Sequence, residues 1–184
     1  MAETFRNYID GEWIDGATFE NRNPANTEEL VGLHGKGTAA DVERAAAAAA
    51  AAQPGWGALP GPARGAYLFR VAEILEARIE QLATDMTREE GKTLPESRGE
   101  VRRSINIFRY FAGEGSRMNG YVTPSERDRV HTFAFRKPVG VVGLVTPWNF
   151  PSAIPAWKLA PALIAGNAVV LKPASAAPLS AWRI

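Results

Sequence analysis

The residues of this chain with the most chemical potential lie in two short polar sequences that each follow an apolar run. Thr-Pro-Trp-Asn occupies residues 146–149 after the run 139–145, and Lys-Pro-Ala-Ser occupies residues 172–175 after the run 168–171. The tryptophan could pack against a flat ligand, the asparagine could donate two hydrogen bonds, and the lysine could bind an anion or a ribose. Each residue also has an ordinary alternative role, as a core tryptophan, a turn asparagine or a surface lysine.

The elements around these sequences predict that they meet. The run 139–145 lacks a helical period, which indicates a short strand buried on both faces. A helix is expected to begin at Pro155, bend at Pro161 and end near Gly166, before a second strand at 168–171. Strand, helix and strand together span about 30 residues, the size of one parallel βαβ unit. Because ligands of open α/β sheets bind outside the carboxyl ends of the strands, both polar sequences should line one crevice, although no GxGxxG loop is present.

The first part of the chain predicts a hairpin and then a helix. Residues 7–14 carry an Asp-Gly turn signal between short apolar stretches, which is typical of a β-hairpin. Asp41 is expected to open a helix that contains eight consecutive alanines, 45–52, and stops by residues 53–57. Since alanine is the best helix former and is small, this helix is predicted to be tightly packed.

Further helices and one strand follow. Apolar residues at three- and four-residue steps predict one long helix from Pro62 to a glycine stop at Gly91. A further helix is expected over about 95–115, with arginines that form a solvated face. The alternating segment 131–138 predicts an exposed strand.

Composition excludes several classes of function. The chain has 184 residues and a net charge of +1, so no strong field steers it toward nucleic acid or an anionic membrane. It has no cysteine and therefore no disulfide and no thiol nucleophile. His34 and His131 are far apart and predict no metal site. No signal peptide or apolar membrane span is visible, which predicts a cytoplasmic protein without membrane or nucleic-acid partners.

Several sequences in the chain resemble the aldehyde dehydrogenase superfamily. They are VGVVGLVTPWNFP, AWKLAPALIAGN and VVLKPA, and the likeness begins at NYIDGEW and NRNPA. It is greatest for bacterial semialdehyde dehydrogenases such as those acting on 2-oxoglutarate semialdehyde. The resemblance implies an α/β fold, the N-terminal part of the family fold, in which a hairpin and helices lead into the first parallel βαβ unit of a dinucleotide-binding domain.

The resemblance also implies a domain organisation. Residues 1–125 correspond to the N-terminal part of the cofactor-binding domain, residues 126–138 to an oligomerisation arm, and residues 139–184 to the first, truncated βαβ unit. The catalytic domain of the family has no counterpart in this sequence. In the complete enzyme the resemblance implies a homo-oligomer, either a dimer or a tetramer.

Roles for individual residues follow from the same resemblance. Asn149 matches the asparagine whose amide stabilises the oxyanion, and Lys158 matches a lysine of the nearby water and proton network. Phe150 and Trp157 match aromatic walls of the substrate tunnel. The positions that match the cofactor site are Val145, Thr146, Pro147, Trp148, Asn149, Lys172, Pro173, Ala174 and Ser175.

The implied activity is the NAD(P)-dependent oxidation of an aldehyde, such as a carboxylated semialdehyde, to its acid through a cysteine thioester. The family's cysteine and glutamate lie outside this chain, so the chain alone is expected to be inactive, as a partial record or a truncated gene. Ser175 stands where many NAD-preferring members carry glutamate, which favours NADP while NAD stays usable. The alternatives are a non-catalytic relic that binds nucleotide or a related subunit, and a small structural helical module.

Overall fold

The computed structural model describes residues 3–184, which form an α/β structure. Within these residues the strands are β1 (Thr4–Phe5), β2 (Asn7–Ile9), β3 (Glu12–Ile14), β4 (Thr18–Asn23), β5 (Asn26–Gly35), β6 (Tyr121–Pro124), β7 (His131–Ala134), β8 (Val141–Val145) and β9 (Ala168–Lys172). The helices are α1 (Ala39–Ala58), α2 (Gly61–Ala77), α3 (Ile79–Glu90), α4 (Leu94–Glu114), α5 (Ala153–Ile164) and α6 (Leu179–Trp182). None of these helices is both long enough and apolar enough to cross a membrane.

The amino-terminal strands form two small sheets. Strands β2 and β3 pair antiparallel, and the predicted hairpin at 7–14 is confirmed. Its turn holds Asp10 at a φ of 54° and Gly11 at 81°, the left-handed region that a tight hairpin turn requires. A second sheet has the strand order β1–β5–β4, with β1 parallel and β4 antiparallel to β5.

Helix α1 differs from the sequence prediction in its ends and in its burial. Thr38 and Asp41 form a capping box, so the helix begins two residues before Asp41. It continues through Pro54 to Ala58 instead of stopping by residues 53–57. The prediction of tight packing is wrong, because no residue of α1 is buried. Alanine side chains bring little apolar area to a contact, and one side of the helix is at most half-buried.

The long helix predicted from Pro62 to Gly91 is two helices. The chain leaves helical geometry at Arg78, where φ is −115° and ψ is 14°, and α3 starts at the next residue. The apolar spacing continues across this break, since Leu75 and Leu82 are both buried. The stop at Gly91 is confirmed, with a left-handed φ of 93°.

Helix α4 is the centre of the main core. Val101, Ile105, Phe108 and Ala112 on one side are nearly inaccessible and pack with apolar residues of α2, α3 and α5. The predicted helix over 95–115 is therefore confirmed. Its opposite side carries the arginines that the sequence assigns to solvent.

The predicted βαβ unit is present. Strands β8 and β9 pair in parallel, and α5 connects them. The helix begins two residues before Pro155, at Ala153, and is followed by Gly166 at a φ of 88°. The prediction that 139–145 is buried on both faces is wrong for this chain. Leu144 packs into the core, whereas Val141, Gly143 and Val145 on the other face of β8 are exposed, Val145 to 72%.

Strands β6 and β7 form an antiparallel ribbon whose residues are all exposed. The ribbon confirms the exposed strand predicted within 131–138. It extends beyond residues 126–138, because its first strand is formed by residues 121–124.

The imidazole of His34 predicts how stability depends on pH. Its ring is 3% exposed and stacks 4.8 Å from the ring of Phe5, and its Nε2 has no hydrogen-bond partner within residues 3–184. Burial lowers the pKa of His34 to about 4, and the positive charge of Arg183 adds to this effect. The unfolded chain takes up the proton at about pH 6.5, so stability present above that pH is lost as the pH falls towards 4.

We therefore expect His34→Phe to flatten the fall in the free energy of unfolding between about pH 6.5 and 4. Urea unfolding of the full-length protein at a series of pH values measures this slope, with His131→Phe on the exposed ribbon as the control. A slope that survives unchanged in His34→Phe would show that another group titrates.

Candidate functional site

The two polar sequences lie side by side at the carboxyl ends of β8 and β9. Val145 is paired with Lys172 in the register of the two strands, and the Thr146 N–H donates to the Lys172 carbonyl at 3.3 Å. This last main-chain hydrogen bond aligns the ends of β8 and β9, so the chain leaves both strands at the same edge of the sheet. The structure therefore brings residues 146–149 and 172–175 together at one edge, as the parallel pairing predicts.

Most residues of the loop that follows β8 are open to solvent. Thr146 is buried, while Pro147, Asn149 and the indole of Trp148 are exposed. Within residues 3–184 the side-chain amide of Asn149 hydrogen-bonds to no other group, so both of its N–H groups remain available as donors. The main chain of Asn149 is held, because its carbonyl accepts a hydrogen bond from Lys92 Nζ at 3.1 Å.

The start of α5 is capped by a carboxylate from another helix. Glu100 of α4 is 5% exposed, and its Oε1 accepts the N–H groups of Ser152 at 2.9 Å and Ala153 at 3.0 Å. Its Oε2 accepts from Lys92 Nζ at 2.5 Å. A hydroxyl pair, Ser104 with Ser152 at 2.8 Å, adds a second link between α4 and the start of α5. The negative charge lies where the helix dipole favours it.

Donors from α1 and α2 occupy the other end of α5. The Trp56 indole donates to the Leu163 carbonyl at 2.9 Å, and Arg64 Nε donates to the Ile164 carbonyl at 2.9 Å. The cation of Arg64 is favourable at this end because the helix dipole is negative there. Other elements therefore hold α5 at both ends, which fixes the positions of Trp157 and Lys158 on the helix and of the loop that leads into it.

An aromatic groove of about 550 Å³ opens beside α5. The Trp157 ring lines it and lies 6.4 Å from the Phe150 ring. The guanidinium of Arg103 also lines the groove and lies 5.2 Å from the Trp157 ring centroid, a cation–π contact. Within residues 3–184 no carboxylate pairs with Arg103. The remaining lining residues are Gly99, Asn106, Ile107, Tyr110 and Phe111.

The residues at the end of β9 fit an anionic nucleotide. Lys172 and Ser175 are exposed, and Pro173 and Ala174 between them are half-buried. This edge therefore offers an ammonium, a hydroxyl and the exposed Trp148 indole, a donor set suited to a ribose, a phosphate and a flat ring. Lys158 is exposed on α5 and forms no hydrogen bond or ion pair within the described part of the chain.

Sequence reasoning missed three residues of this region. Lys92 and Glu100 were not assigned any role, and Arg103 was assigned to a solvated face. A sequence signal exists only for Glu100, a carboxylate in the apolar stripe of α4 beside Val101 and Ser104, which are both buried.

The comparisons with known proteins identify the family. Residues 13–184 match the family model described as aldehyde dehydrogenase family, and the chain belongs to that family. It is 48% identical over 184 residues to the alpha-ketoglutaric semialdehyde dehydrogenase of Bacillus subtilis. The aligned region covers 98% of this chain and 38% of the relative. It is 45% identical to the alpha-ketoglutarate semialdehyde dehydrogenase of Haloferax volcanii, covering 97% of this chain and 38% of the relative.

A solved structure agrees with these relatives. The E. coli NADP dependent enzyme matches with a TM-score of 0.95 and 36% identity, covering 98% of this chain and 38% of the other. The predicted family, the α/β fold and the likeness to semialdehyde dehydrogenases are thereby confirmed. The chain spans about 38% of the length of these relatives.

Proposed function

We propose that this chain forms part of an NAD(P)-dependent aldehyde dehydrogenase and supplies its oxyanion donor and part of its cofactor site. The observation that carries the proposal is the pairing of Val145 with Lys172, which places the Asn149 loop and the Lys172 turn at one sheet edge. Open α/β sheets bind nucleotides at this position. The available amide of Asn149 and the exposed Trp148 support the proposal.

The proposed chemistry of this segment is electrostatic. In aldehyde oxidation the carbonyl oxygen becomes negative when a thiolate adds to the carbon, and an N–H of Asn149 donates to that oxygen. A neutral amide suits this task because it stabilises developing charge without binding an ion beforehand. The chain has no cysteine, so the thiol comes from outside these 184 residues. The nicotinamide, when bound, accepts the hydride.

The substrate we propose is an aldehyde that carries a carboxylate. Two relatives are named for alpha-ketoglutarate semialdehyde, whose far end is a carboxylate. The groove lined by Trp157, Tyr110 and Phe111 also holds the guanidinium of Arg103, which has no acidic partner in residues 3–184. A guanidinium binds a carboxylate through two parallel hydrogen bonds, and the aromatic walls suit the carbon chain between the two ends.

In the full-length enzyme, we expect Arg103→Gln to lower kcat/KM for 2-oxoglutarate semialdehyde by about 10- to 100-fold. Hydrogen bonds to charged groups contribute about 1.5–3 kcal/mol, and about 1.4 kcal/mol is tenfold. The kcat/KM for an uncharged aldehyde of the same length should change by less than about threefold.

Steady-state rates of reduced-cofactor formation with both aldehydes measure this, with Arg102→Gln one position earlier on α4 as the matched control. Equal losses for the charged and the uncharged aldehyde would contradict the role of Arg103. A full-length protein that oxidises neither aldehyde with either cofactor would contradict the proposed function itself.

We also propose that the complete enzyme is a homo-oligomer in which the ribbon of β6 and β7, including residues 126–138, pairs with another subunit. The support is its exposed apolar surface, since Tyr121, Val122 and Phe133 each expose more than half of their area. A cytoplasmic location and the absence of nucleic-acid and membrane partners stay predictions from the sequence.

A further inference from the structure

The side chains of Lys92 and Glu100 join three parts of the fold beside Asn149. Lys92 follows Gly91 in the connection between α3 and α4, and Glu100 lies two turns into α4. Their Nζ and Oε2 atoms are 2.5 Å apart, and their side chains are only 14% and 2% exposed. A pair so well shielded from water keeps a defined geometry, unlike a surface ion pair.

Both residues of this pair form hydrogen bonds with the loop that carries Asn149 or with the start of the helix that follows it. Lys92 Nζ donates to the Asn149 carbonyl at 3.1 Å and lies 4.6 Å from the centroid of the Phe150 ring. Glu100 Oε1 accepts the N–H groups of Ser152 and Ala153, the first groups of α5. The pair therefore fixes the main chain on both sides of residues 150 and 151.

The loop has no comparable support from its own sequence. Ser152 precedes α5 but its side chain makes no capping bond to the helix, so the cap comes from Glu100, 52 positions earlier. Glu90 Oε2 also lies close to this ammonium, 3.7 Å from Lys92 Nζ. The lysine thus has two carboxylates and one carbonyl around it, which leaves it little freedom to move.

We propose that Lys92 and Glu100 act as positioning residues that hold the Asn149 amide in the direction of the reacting oxygen. The inference rests on the proposed function, because it assigns these residues to the oxyanion role of Asn149. Neither residue touches the substrate. They act by fixing the main chain of Asn149, since a donor that is displaced by about 1 Å loses much of its effect on rate.

The test is a double-mutant cycle in the full-length enzyme. Lys92→Met should lower kcat about tenfold, while the KM for the aldehyde and the Kd for NADP change less than about twofold. In an Asn149→Ala background the same change should lower kcat by less than about twofold, because the donor that Lys92 positions is gone. Glu100→Gln, which keeps the shape but weakens both contacts, should show the same pattern.

Glu89→Gln is the matched control. Glu89 of α3 is another buried carboxylate that caps a helix, since it accepts the N–H groups of Leu179 at 2.7 Å and Ser180 at 2.6 Å. It hydrogen-bonds to none of residues 146–158 within the described part of the chain. We expect this variant to lower the melting temperature without the selective loss of kcat.

Two outcomes separate this inference from the proposed function. If Asn149→Ala slows the enzyme but Lys92→Met and Glu100→Gln act equally in both backgrounds, the pair is a purely structural support and the inference is wrong. If Asn149→Ala itself leaves kcat unchanged, the oxyanion role fails whatever the other variants do.

Discussion

Replacing Ser175 with glutamate in the full-length enzyme is expected to lower kcat/KM for NADP by about 10³-fold. Ser175 and Lys172 are both exposed where β9 ends, and we propose that the adenine ribose binds there. A carboxylate there would face the 2′-phosphate. Two unit charges about 4 Å apart repel by about 4 kcal/mol at an effective dielectric near 20, and about 1.4 kcal/mol is tenfold. The value for NAD should stay the same or rise, because NAD has two hydroxyls for the carboxylate to bind.

Ser175→Ala is the control for this change, since it removes the hydroxyl without adding a charge. We expect this variant to lower kcat/KM for NADP by only about fivefold, which corresponds to the loss of one ordinary hydrogen bond. Steady-state kinetics with both cofactors give the two ratios. A native enzyme that strongly favours NAD, with a ratio unmoved by Ser175→Glu, would show that another residue selects the cofactor.

The local sequence pattern was sufficient to predict the strands and the helix that position the site. The apolar runs before Thr146 and Lys172, with prolines and a glycine between them, predict a parallel βαβ unit, and β8, α5 and β9 form it. Parallel strands end at one edge whatever surrounds them, so the meeting of the two polar sequences follows from topology alone. The same reasoning works for the hairpin at 7–14, whose Asp-Gly turn is local.

The sequence did not predict the long-range contacts of the site. Glu100 caps α5 from 52 positions away and Glu89 caps α6 from 90, so no local spacing relates either carboxylate to its helix. Arg103 shows the same limit. Its position on a polar helix face suggests solvent, and only the fold reveals that Trp157 of α5 lies beneath it.

The errors in burial have a related cause. A run of alanines predicts a helix but not what covers it, and α1 packs with no residue buried. The run 139–145 predicts a strand, but its burial depends on layers that lie on both faces of the sheet, and the described residues cover one. At Arg78 the apolar spacing continues while the main chain breaks, and neither glycine nor proline marks the position.

The central claim is that Asn149 stabilises the oxyanion, and Asn149→Ala in the full-length enzyme tests it most directly. Loss of one such donor typically lowers kcat by about 10²–10³-fold. The amide is exposed, hydrogen-bonds to no group within residues 3–184 and is held by its main chain, so its removal should disturb little else. Asn26→Ala, at an exposed asparagine that begins β5, is the matched control.

The measurement has two parts. The first is kcat at saturating semialdehyde. The second is the Kd of NADP, obtained from its displacement of the fluorescent reduced cofactor. The account predicts that Asn149→Ala lowers kcat by about 10²–10³-fold and leaves the Kd within about threefold. A variant that turns over bound substrate at the normal rate while its affinity for NADP collapses would contradict it.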